Sequence, residues 1–189
     1  MKNVYLLVYI IMFVGCTSSS DNVVKPNLLV IMADSLSYID IGVYGQESVS
    51  ATPNIDRLAQ EGVCFTNGYS ISSNSASGQY ALMTGRCPWK ETGGEEMITL
   101  PEMMKKVGYK TAAIGTWHSK VEQIPGETAR RMGFGYSGSE ADIGLSDYSI
   151  YEAVDFISRQ KKEPFFLYYG LGGETVSSIH EEIDKYIGS

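Results

Sequence analysis

The sequence predicts an α/β protein with a mostly parallel β-sheet and flanking helices. Residues 27–33 read Asn-Leu-Leu-Val-Ile-Met-Ala, a continuous apolar run typical of a strand that is buried on both faces of a parallel sheet. Further apolar runs at 111–115 and 164–169 are separated by segments with helical periodicity. Strands that alternate with helices indicate βαβ units, and therefore a parallel sheet.

Each predicted helix carries its own start and stop signals. Thr52-Pro53 supplies an N-cap and a proline at the first helical position, and Gly62 ends that helix. Thr99 lies three residues before Glu102, which is the capping-box spacing. That helix is expected to end at Gly108. A third helix carries its apolar face on four residues, which are Ile150, Ala153, Val154 and Ile157.

Residues 63–69 are expected to form another strand, with Cys64 buried in it and Cys87 in a loop. A disulfide between the two is compatible with an oxidising compartment, but the sequence fixes no geometry for it. We therefore assign no function to either cysteine.

The N-terminus has the pattern of an export signal. Lys2 precedes an apolar run at 4–13, followed by Val-Gly-Cys at 14–16 and a polar stretch. The run is too short to span a bilayer. The pattern resembles a bacterial lipoprotein signal, with residues 1–15 as signal peptide, Cys16 as the lipidated residue and 16–25 as a tether. This predicts a membrane-anchored lipoprotein of the bacterial cell envelope, on its periplasmic side or outer surface; the alternative is an ordinary Cys16 after a simple signal.

The charge of the chain excludes one class of partner. The formal net charge is −7, and removal of residues 1–15 takes away Lys2 and no acid, which leaves −8. Nucleic acid is therefore excluded as a partner. An anionic substrate has to be attracted by a local cation, metal or helix N-terminus, because the overall field repels it.

Several ordered motifs resemble the sulfatase family, and together they cover nearly all of the chain after the signal. They are Lys25-Pro26-Asn27-Leu28-Leu29-Val30-Ile31-Met32-Ala33-Asp34, Thr52-Pro53-Asn54-Ile55-Asp56-Arg57-Leu58-Ala59, Glu61-Gly62-Val63, Phe65-Thr66-Asn67, Leu82-Met83-Thr84-Gly85-Arg86, Gly115-Thr116-Trp117-His118 and Pro164-Phe165-Phe166-Leu167-Tyr168. The resemblance implies an alkaline-phosphatase/sulfatase-like fold. Residues 26–189 would form a partial N-terminal domain that is truncated at the C-terminus.

The resemblance also implies a chemistry. Sulfatases bind calcium with acidic residues at the end of the first strand, and they attack sulfur with a formylglycine made from Cys or Ser. Carried over to this chain, Asp34 is a metal ligand, Ser75 is the nucleophile precursor, and His118 binds sulfate or the leaving group. A geminal diol can expel sulfate with its second hydroxyl, which a plain serine lacks.

The chain departs from the family pattern at several of these positions. Ser77 and Gln79 stand where the maturation motif has Pro or Ala and Arg, which argues against conversion of Ser75 to formylglycine. Ser35 replaces a second metal acid and Thr116 a lysine. Thr175 marks the position of a lost histidine. These changes remove charged side chains from a site that has to stabilise the negative charge of sulfate transfer.

We therefore expect a sulfuric ester hydrolase that acts on sulfated glycans or aryl sulfates, with weak or absent activity in this chain. Three alternatives stay open: a non-catalytic glycan-binding surface lipoprotein, a fragment of a split sulfatase gene whose partner chain supplies the C-terminal half, and phosphoryl transfer by unmodified Ser75. The partial sheet is expected to leave an apolar edge open at 165–169.

Overall fold

The computed structural model describes residues 24–34, 36–45, 52–89, 97–117, 127–138 and 146–171. Within these ranges it contains four strands and five α-helices, with two short 3-10 turns at Tyr38–Asp40 and Gly42–Tyr44. The strands are β1 Leu28–Ala33, β2 Lys110–Gly115, β3 Tyr136–Ser137 and β4 Phe165–Leu171. The helices are α1 Pro53–Glu61, α2 Ser75–Thr84, α3 Leu100–Lys106, α4 Glu127–Arg131 and α5 Ser146–Arg159.

The four strands form one parallel sheet in the order β1-β4-β2-β3. β4 lies between β1 and β2, with Leu29 opposite Leu167 on one side and Ala112 opposite the same Leu167 on the other. Every residue of β4 is buried. The α/β fold with a parallel sheet and flanking helices is therefore confirmed.

Each face of the sheet carries its own apolar core. On one face, Ile150, Ala153 and Phe156 of α5 pack against alternate residues of β2 and β4. On the other face, Met83 of α2 and the partly buried Met104 of α3 pack against the remaining residues of these strands and of β1. Such two-sided burial explains why β4 is a continuous apolar run.

Side-chain capping fixes the start of α3, whereas α1 starts at Pro53 without a capping hydrogen bond to the side chain of its N-cap residue Thr52. The Thr99 hydroxyl accepts a hydrogen bond from the Glu102 amide at 3.3 Å, and the Glu102 carboxylate accepts one from the Thr99 amide at 2.9 Å. The predicted capping box is thus present. The Thr99 hydroxyl also donates to the carbonyl oxygen of Met132 at 2.6 Å, which ties the start of α3 to the turn after α4.

Three predictions about strands are wrong. Among the described residues β1 lies at the edge of the sheet with exposed or half-buried side chains, whereas its apolar run predicted burial on both faces. Residues 63–69 form no strand and are exposed, so Cys64 is exposed as well. The stretch 165–169 is central and buried and not an open edge. An apolar run in the sequence shows only that a strand is hydrophobic. The order of the strands in the sheet decides which of the hydrophobic strands is buried.

The short elements α4 and β3 were not predicted. α4 has five residues and β3 has two, and such short elements show too little periodicity to be found from a sequence. Among the residues that the structure describes, no helix is long and apolar enough to cross a membrane.

A glycine at the end of β2 gives the first test of this fold. Gly115 has φ +82°, and a Cβ built on it would lie 2.1 Å from the carbonyl oxygen of Gly170. Gly115→Ala is therefore expected to lower the free energy of unfolding by about 2 kcal/mol or more, from backbone strain and the clash with β4. Urea unfolding followed by circular dichroism measures this change.

Gly68→Ala is the matched control, since a Cβ at Gly68 would meet nothing within 4 Å. Equal stability losses in the two variants would contradict the close approach of β2 and β4 at this point.

Candidate functional site

Backbone hydrogen bonds join the carboxyl ends of β1, β4 and β2 at one edge of the sheet. Beyond β1, the amide of Asp34 donates to the carbonyl oxygen of Leu171 at 2.9 Å. Beyond β2, the amide of Thr116 donates to the carbonyl oxygen of Gly170 at 2.8 Å. These bonds bring Asp34 and Thr116 to either side of the end of β4, the edge where ligands bind in open α/β sheets.

Helix α2 begins at this same edge. Asn74 is its N-cap, and the Asn74 side-chain oxygen accepts from the amide of Ser77 at 3.1 Å. Ser75 is the first residue of the helix, and its hydroxyl Oγ donates to Asp34 Oδ1 at 3.5 Å, a long hydrogen bond. The fold thus brings together two residues that lie 41 positions apart in the chain. Because a helix N-terminus carries partial positive charge, an anion is favoured beside Ser75.

One turn further along α2, Gln79 contacts β4. The Gln79 side chain is only 2% exposed, and its Nε2 donates to the hydroxyl of Tyr168 at 2.7 Å. The Tyr168 hydroxyl in turn donates to Met32 Sδ at 3.2 Å. Burial raises the pKa of Tyr168 to about 12, while the hydrogen bond from Gln79 lowers it and the charge of Asp34 raises it further. This clasp of Gln79 and Tyr168 holds α2 against the sheet.

The side chains enclose a small cleft of about 30 Å³. Among the described residues that line it, Asp34 is the one with a formal charge; the complete lining is Met32, Ala33, Asp34, Ser75, Gln79, Thr116, Tyr168, Gly170 and Leu171. A single carboxylate repels a sulfate or phosphate group. Anion binding here therefore needs a bound metal, or cations contributed from outside these residues.

The described residues do not by themselves fit a calcium site. Calcium takes about six to eight oxygen ligands, several of them carboxylates. Asp34 supplies one carboxylate, and Ser75 and Thr116 line the same cleft with hydroxyl groups. Within the described ranges, no cluster of three or more His, Cys, Asp and Glu side chains could hold a metal ion.

A larger cavity of about 430 Å³ lies at the opposite end of the sheet, where β2 and β3 begin. Its charged groups have partners: Arg159 contacts Asp155 at 2.6 Å, Lys110 contacts Glu163 at 3.5 Å, and Glu152 accepts a hydrogen bond from the Tyr136 hydroxyl. The hydrogen bond to Glu152 is the main cause that raises the pKa of Tyr136 to about 12. We place the candidate site at the smaller cleft, because there the fold gathers polar side chains at strand ends and a helix N-terminus.

The structure brings together four of the residues that the sequence singled out, namely Asp34, Ser75, Gln79 and Thr116. Ser35, His118, Thr175 and Cys16 lie outside the described residues. Trp117, directly before His118, is buried and packs edge-on against Tyr168 at 5.1 Å between ring centroids.

Tyr168 was missed as a site residue. A signal was present, because a tyrosine inside an apolar strand needs a partner for its hydroxyl.

Replacement of Tyr168 tests the clasp. Tyr168→Phe removes the acceptor of the buried Gln79 amide, so we expect a loss of about 1–3 kcal/mol in the free energy of unfolding at neutral pH. The loss should shrink as pH rises above 10. In the unfolded chain tyrosine ionises near pH 10, whereas the fold keeps Tyr168 protonated up to about pH 12. Between these two pH values ionisation favours the unfolded state of the wild type and lowers its free energy of unfolding. The phenylalanine variant has no hydroxyl at this position and does not lose this stability.

Urea unfolding at several pH values between 7 and 11 measures both effects. Tyr69→Phe is the control, because Tyr69 is 90% exposed and its replacement should change stability little. A difference between wild type and Tyr168→Phe that does not depend on pH would contradict the assignment.

Curated relatives of this chain include several sulfatases. An N-acetylgalactosamine-6-O-sulfatase of Bacteroides thetaiotaomicron is 39% identical over 139 residues, which is 62% of this chain and 27% of that protein. The human N-acetylgalactosamine-6-sulfatase is 28% identical over 205 residues, covering 77% of this chain and 39% of the relative. The chain thus spans less than two fifths of the length of either protein.

Solved structures share the fold. One from work on the metabolism of multiple glycosaminoglycans by Bacteroides thetaiotaomicron superposes with a TM-score of 0.69 at 23% identity, over 87% of this chain and 58% of that one. A phosphonate monoester hydrolase of Agrobacterium radiobacter superposes with a TM-score of 0.59 at 17% identity, over 79% of this chain and 41% of that one. The family model named Sulfatase matches residues 26–174. The chain therefore belongs to the sulfatase family.

Proposed function

We propose that this chain carries the nucleophile position and one metal ligand of a sulfatase site that binds a sulfated carbohydrate. One observation carries the proposal: Ser75 Oγ lies 3.5 Å from the Asp34 carboxylate, at the N-terminus of α2 and the carboxyl edge of the sheet. In this proposal Ser75 faces the sulfur atom, Asp34 would contribute one ligand to a divalent cation, and His118 would bind the sulfate group or the leaving oxygen.

The proposed substrate class rests on the relatives. Two of them are named for removing the 6-sulfate of N-acetylgalactosamine, one bacterial and one human. Others include a human steryl-sulfatase, which is 34% identical over 128 residues. We take a sulfated amino sugar as the substrate, with a small aryl sulfate ester as its simplest surrogate.

Charge argues that this chain on its own turns over sulfate esters slowly or not at all. Sulfate transfer develops negative charge that enzymes stabilise with cations and metals. Gln79 and Thr116 stand in the cleft where the family resemblance implies arginine and lysine, and both are neutral. Ser35 likewise supplies no second carboxylate. Calcium, if bound, would offset the charge of Asp34 and polarise the sulfate, but the described residues supply too few ligands to hold it tightly.

The chemistry available to Ser75 depends on its modification. As serine, it can attack once and is then left as a sulfate ester; as formylglycine hydrate, it has a second hydroxyl that expels the sulfate. The Asp34 carboxylate accepts a hydrogen bond from Ser75 and so orients the hydroxyl. Turnover would require the formylglycine form, whereas binding would not.

The clasp of Gln79 and Tyr168 favours a second candidate, a surface lipoprotein that binds a glycan without cleaving it. The Gln79 amide donates a hydrogen bond to the Tyr168 hydroxyl at 2.7 Å. The cleft beside Ser75 is therefore lined by two neutral side chains that pack against each other. Such a cleft is built for shape and hydrogen bonding more than for charge stabilisation. In both candidates we propose export as a lipoprotein anchored to the cell envelope through Cys16.

The state of Ser75 gives one prediction. We expect Ser75 to stay unmodified in the expressed protein, because Ser77 and Gln79 depart from the maturation motif. Mass spectrometry of the peptide that contains Ser75 decides it, since conversion to formylglycine removes two hydrogen atoms. A Ser77→Pro, Gln79→Arg variant, expressed with a formylglycine-generating enzyme, is the positive control. Loss of two hydrogens in most wild-type molecules would refute the prediction.

A binding and turnover experiment tests the proposed function. We expect the chain to bind 6-sulfated N-acetylgalactosamine about tenfold better than the unsulfated sugar in millimolar calcium, and to hydrolyse an aryl sulfate ester at or near background. Asp34→Asn should remove the preference for the sulfated sugar, because it removes the metal ligand. Glu163→Gln is the matched control, since Glu163 is an exposed acid that pairs with Lys110.

Each result discriminates between the candidates. A preference that survives Asp34→Asn would show that binding needs no metal at Asp34 and would favour the non-catalytic glycan binder. Equal binding of the two sugars would overturn the sulfatase proposal for this chain.

A further inference from the structure

The cavity at the amino end of the sheet has the size of a small-ligand site. It measures about 430 Å³ and is lined by residues in or next to β2, β3 and α5. Ligand pockets in proteins span about 300–1,000 Å³. The cleft at Ser75 measures about 30 Å³, roughly the volume that one water molecule takes up in the liquid. Of the two spaces, the larger cavity is therefore the one that can enclose a sugar ring.

One face of α5 forms a wall of this cavity. The wall residues are spaced as i, i+3, i+4 and i+7, and this spacing places side chains on the same side of a helix. They are Glu152, Asp155, Phe156 and Arg159. Phe156 belongs to the buried core beneath α5, whereas the Arg159 and Asp155 side chains are exposed. The wall thus presents carboxylate and guanidinium groups above an apolar floor.

An aromatic ring from β3 forms the adjoining wall. Tyr136 stacks on Phe156, with 6.1 Å between ring centroids and 19° between ring planes, and it remains 44% exposed. Its hydroxyl donates a hydrogen bond to Glu152 Oε1. A Cβ on Gly138 would lie 2.6 Å from Glu152 Oε2, so the glycine leaves room for this carboxylate. The ring and the carboxylate are therefore held in place before any ligand binds, which lowers the entropy cost of binding.

The cavity also holds hydrogen-bond donors at fixed positions. The Arg159 guanidinium pairs with Asp155 through two contacts, Nε to Oδ1 at 3.0 Å and a terminal nitrogen to Oδ2 at 2.6 Å. A guanidinium has five N–H donors, of which this pair engages two. Lys110 Nζ contacts Glu163 at 3.5 Å. The described lining carries two cations, Lys110 and Arg159, and two carboxylates, Glu152 and Asp155, so its net formal charge is zero.

This balance of charge indicates the chemistry of the ligand. A lining with no net charge gives little attraction for a sulfate or phosphate ion, and the formal net charge of −7 repels one. A hydroxyl group both donates and accepts hydrogen bonds, so it suits a lining that offers carboxylate acceptors beside guanidinium donors. The apolar face of a sugar ring packs on an aromatic side chain. An uncharged sugar ring satisfies all of these groups together.

We propose that this cavity is a second carbohydrate site, which binds an uncharged sugar ring of a glycan. The ring packs on Tyr136, and its hydroxyl groups bridge Glu152 and Arg159. The choice of sugar rests on the proposed function, because two relatives are named for N-acetylgalactosamine. Lys110 at the cavity and Thr116 at the cleft lie six residues apart along β2 and its end, which corresponds to about 20 Å. One monosaccharide therefore occupies the cavity or the cleft and cannot reach both.

Nuclear magnetic resonance of the full chain, labelled with nitrogen-15, tests the proposal. The probe is unsulfated N-acetylgalactosamine, for which we expect a Kd in the millimolar range, as for a small ligand with few contacts. The amides of Gly135, Tyr136 and Gln160 should shift during the titration, and those of Ser75 and Thr116 should not. Inorganic sulfate, added alone, should leave the three cavity amides unchanged, because the lining has no net charge.

Two substitutions in the cavity measure the contribution of its polar groups. Arg159→Ala should weaken binding of the sugar about tenfold, because it removes the guanidinium donors. Glu152→Gln should also weaken binding, since it replaces a charged acceptor by a neutral amide. Lys105→Ala is the matched control, because Lys105 is an exposed cation on α3, which packs on the opposite face of the sheet. Circular dichroism checks that all three variants keep the fold.

Three results would overturn the proposal. They are a titration in which the cavity amides do not shift, shifts that both cavity substitutions leave unchanged, and shifts of the same amides by inorganic sulfate, which would identify an anion site. The result for the cleft is separate. Asp34→Asn should leave the titration of the cavity amides unchanged. Loss of the expected preference for the sulfated sugar counts against the proposed function, while a sugar that still shifts the cavity amides supports the second site.

Discussion

The burial of β4 is the constraint on which the described fold depends. All seven residues of β4 are buried, and the strand pairs with β1 on one side and β2 on the other. Because its side chains alternate between the two cores, β4 joins α5 on one face to α2 and α3 on the other. A large-to-small change in this strand would open a cavity in one of these cores.

The candidate site inherits its geometry from this strand. The carbonyl oxygens of Gly170 and Leu171 accept from Thr116 and Asp34, so the strands flanking β4 end at the same level. Gly170 permits this approach, because a Cβ there would lie 2.0 Å from the Thr116 carbonyl oxygen. Tyr168, two residues earlier, fixes α2 through Gln79. Ser75 therefore reaches Asp34 as a consequence of how β4 is packed.

The chemistry of the cleft is limited by charge and not by placement. Ser75 and Asp34 meet at a helix N-terminus, which suits an anion, yet the described lining adds no cation to the single carboxylate. Neutral Gln79 is engaged with Tyr168 in the cleft. The described lining cannot by itself stabilise the charge that develops during sulfate transfer. This is why membership of the sulfatase family and turnover of sulfate esters are separate questions for this chain.

The sequence by itself determined the α/β class, the helix starts at Pro53 and Leu100, the family, and the positions of Asp34 and Ser75. These follow from local signals, since apolar periodicity, capping residues and ordered motifs are read directly along the chain. Only the tertiary structure decided that 165–169 is central, that β1 lies at the edge of the sheet among the described residues, and that Cys64 is exposed. Equally apolar strands do not encode their order in a sheet, because that order depends on long-range pairing. For the same reason the contact between Gln79 and Tyr168, 89 residues apart, appeared only when the strands were in place.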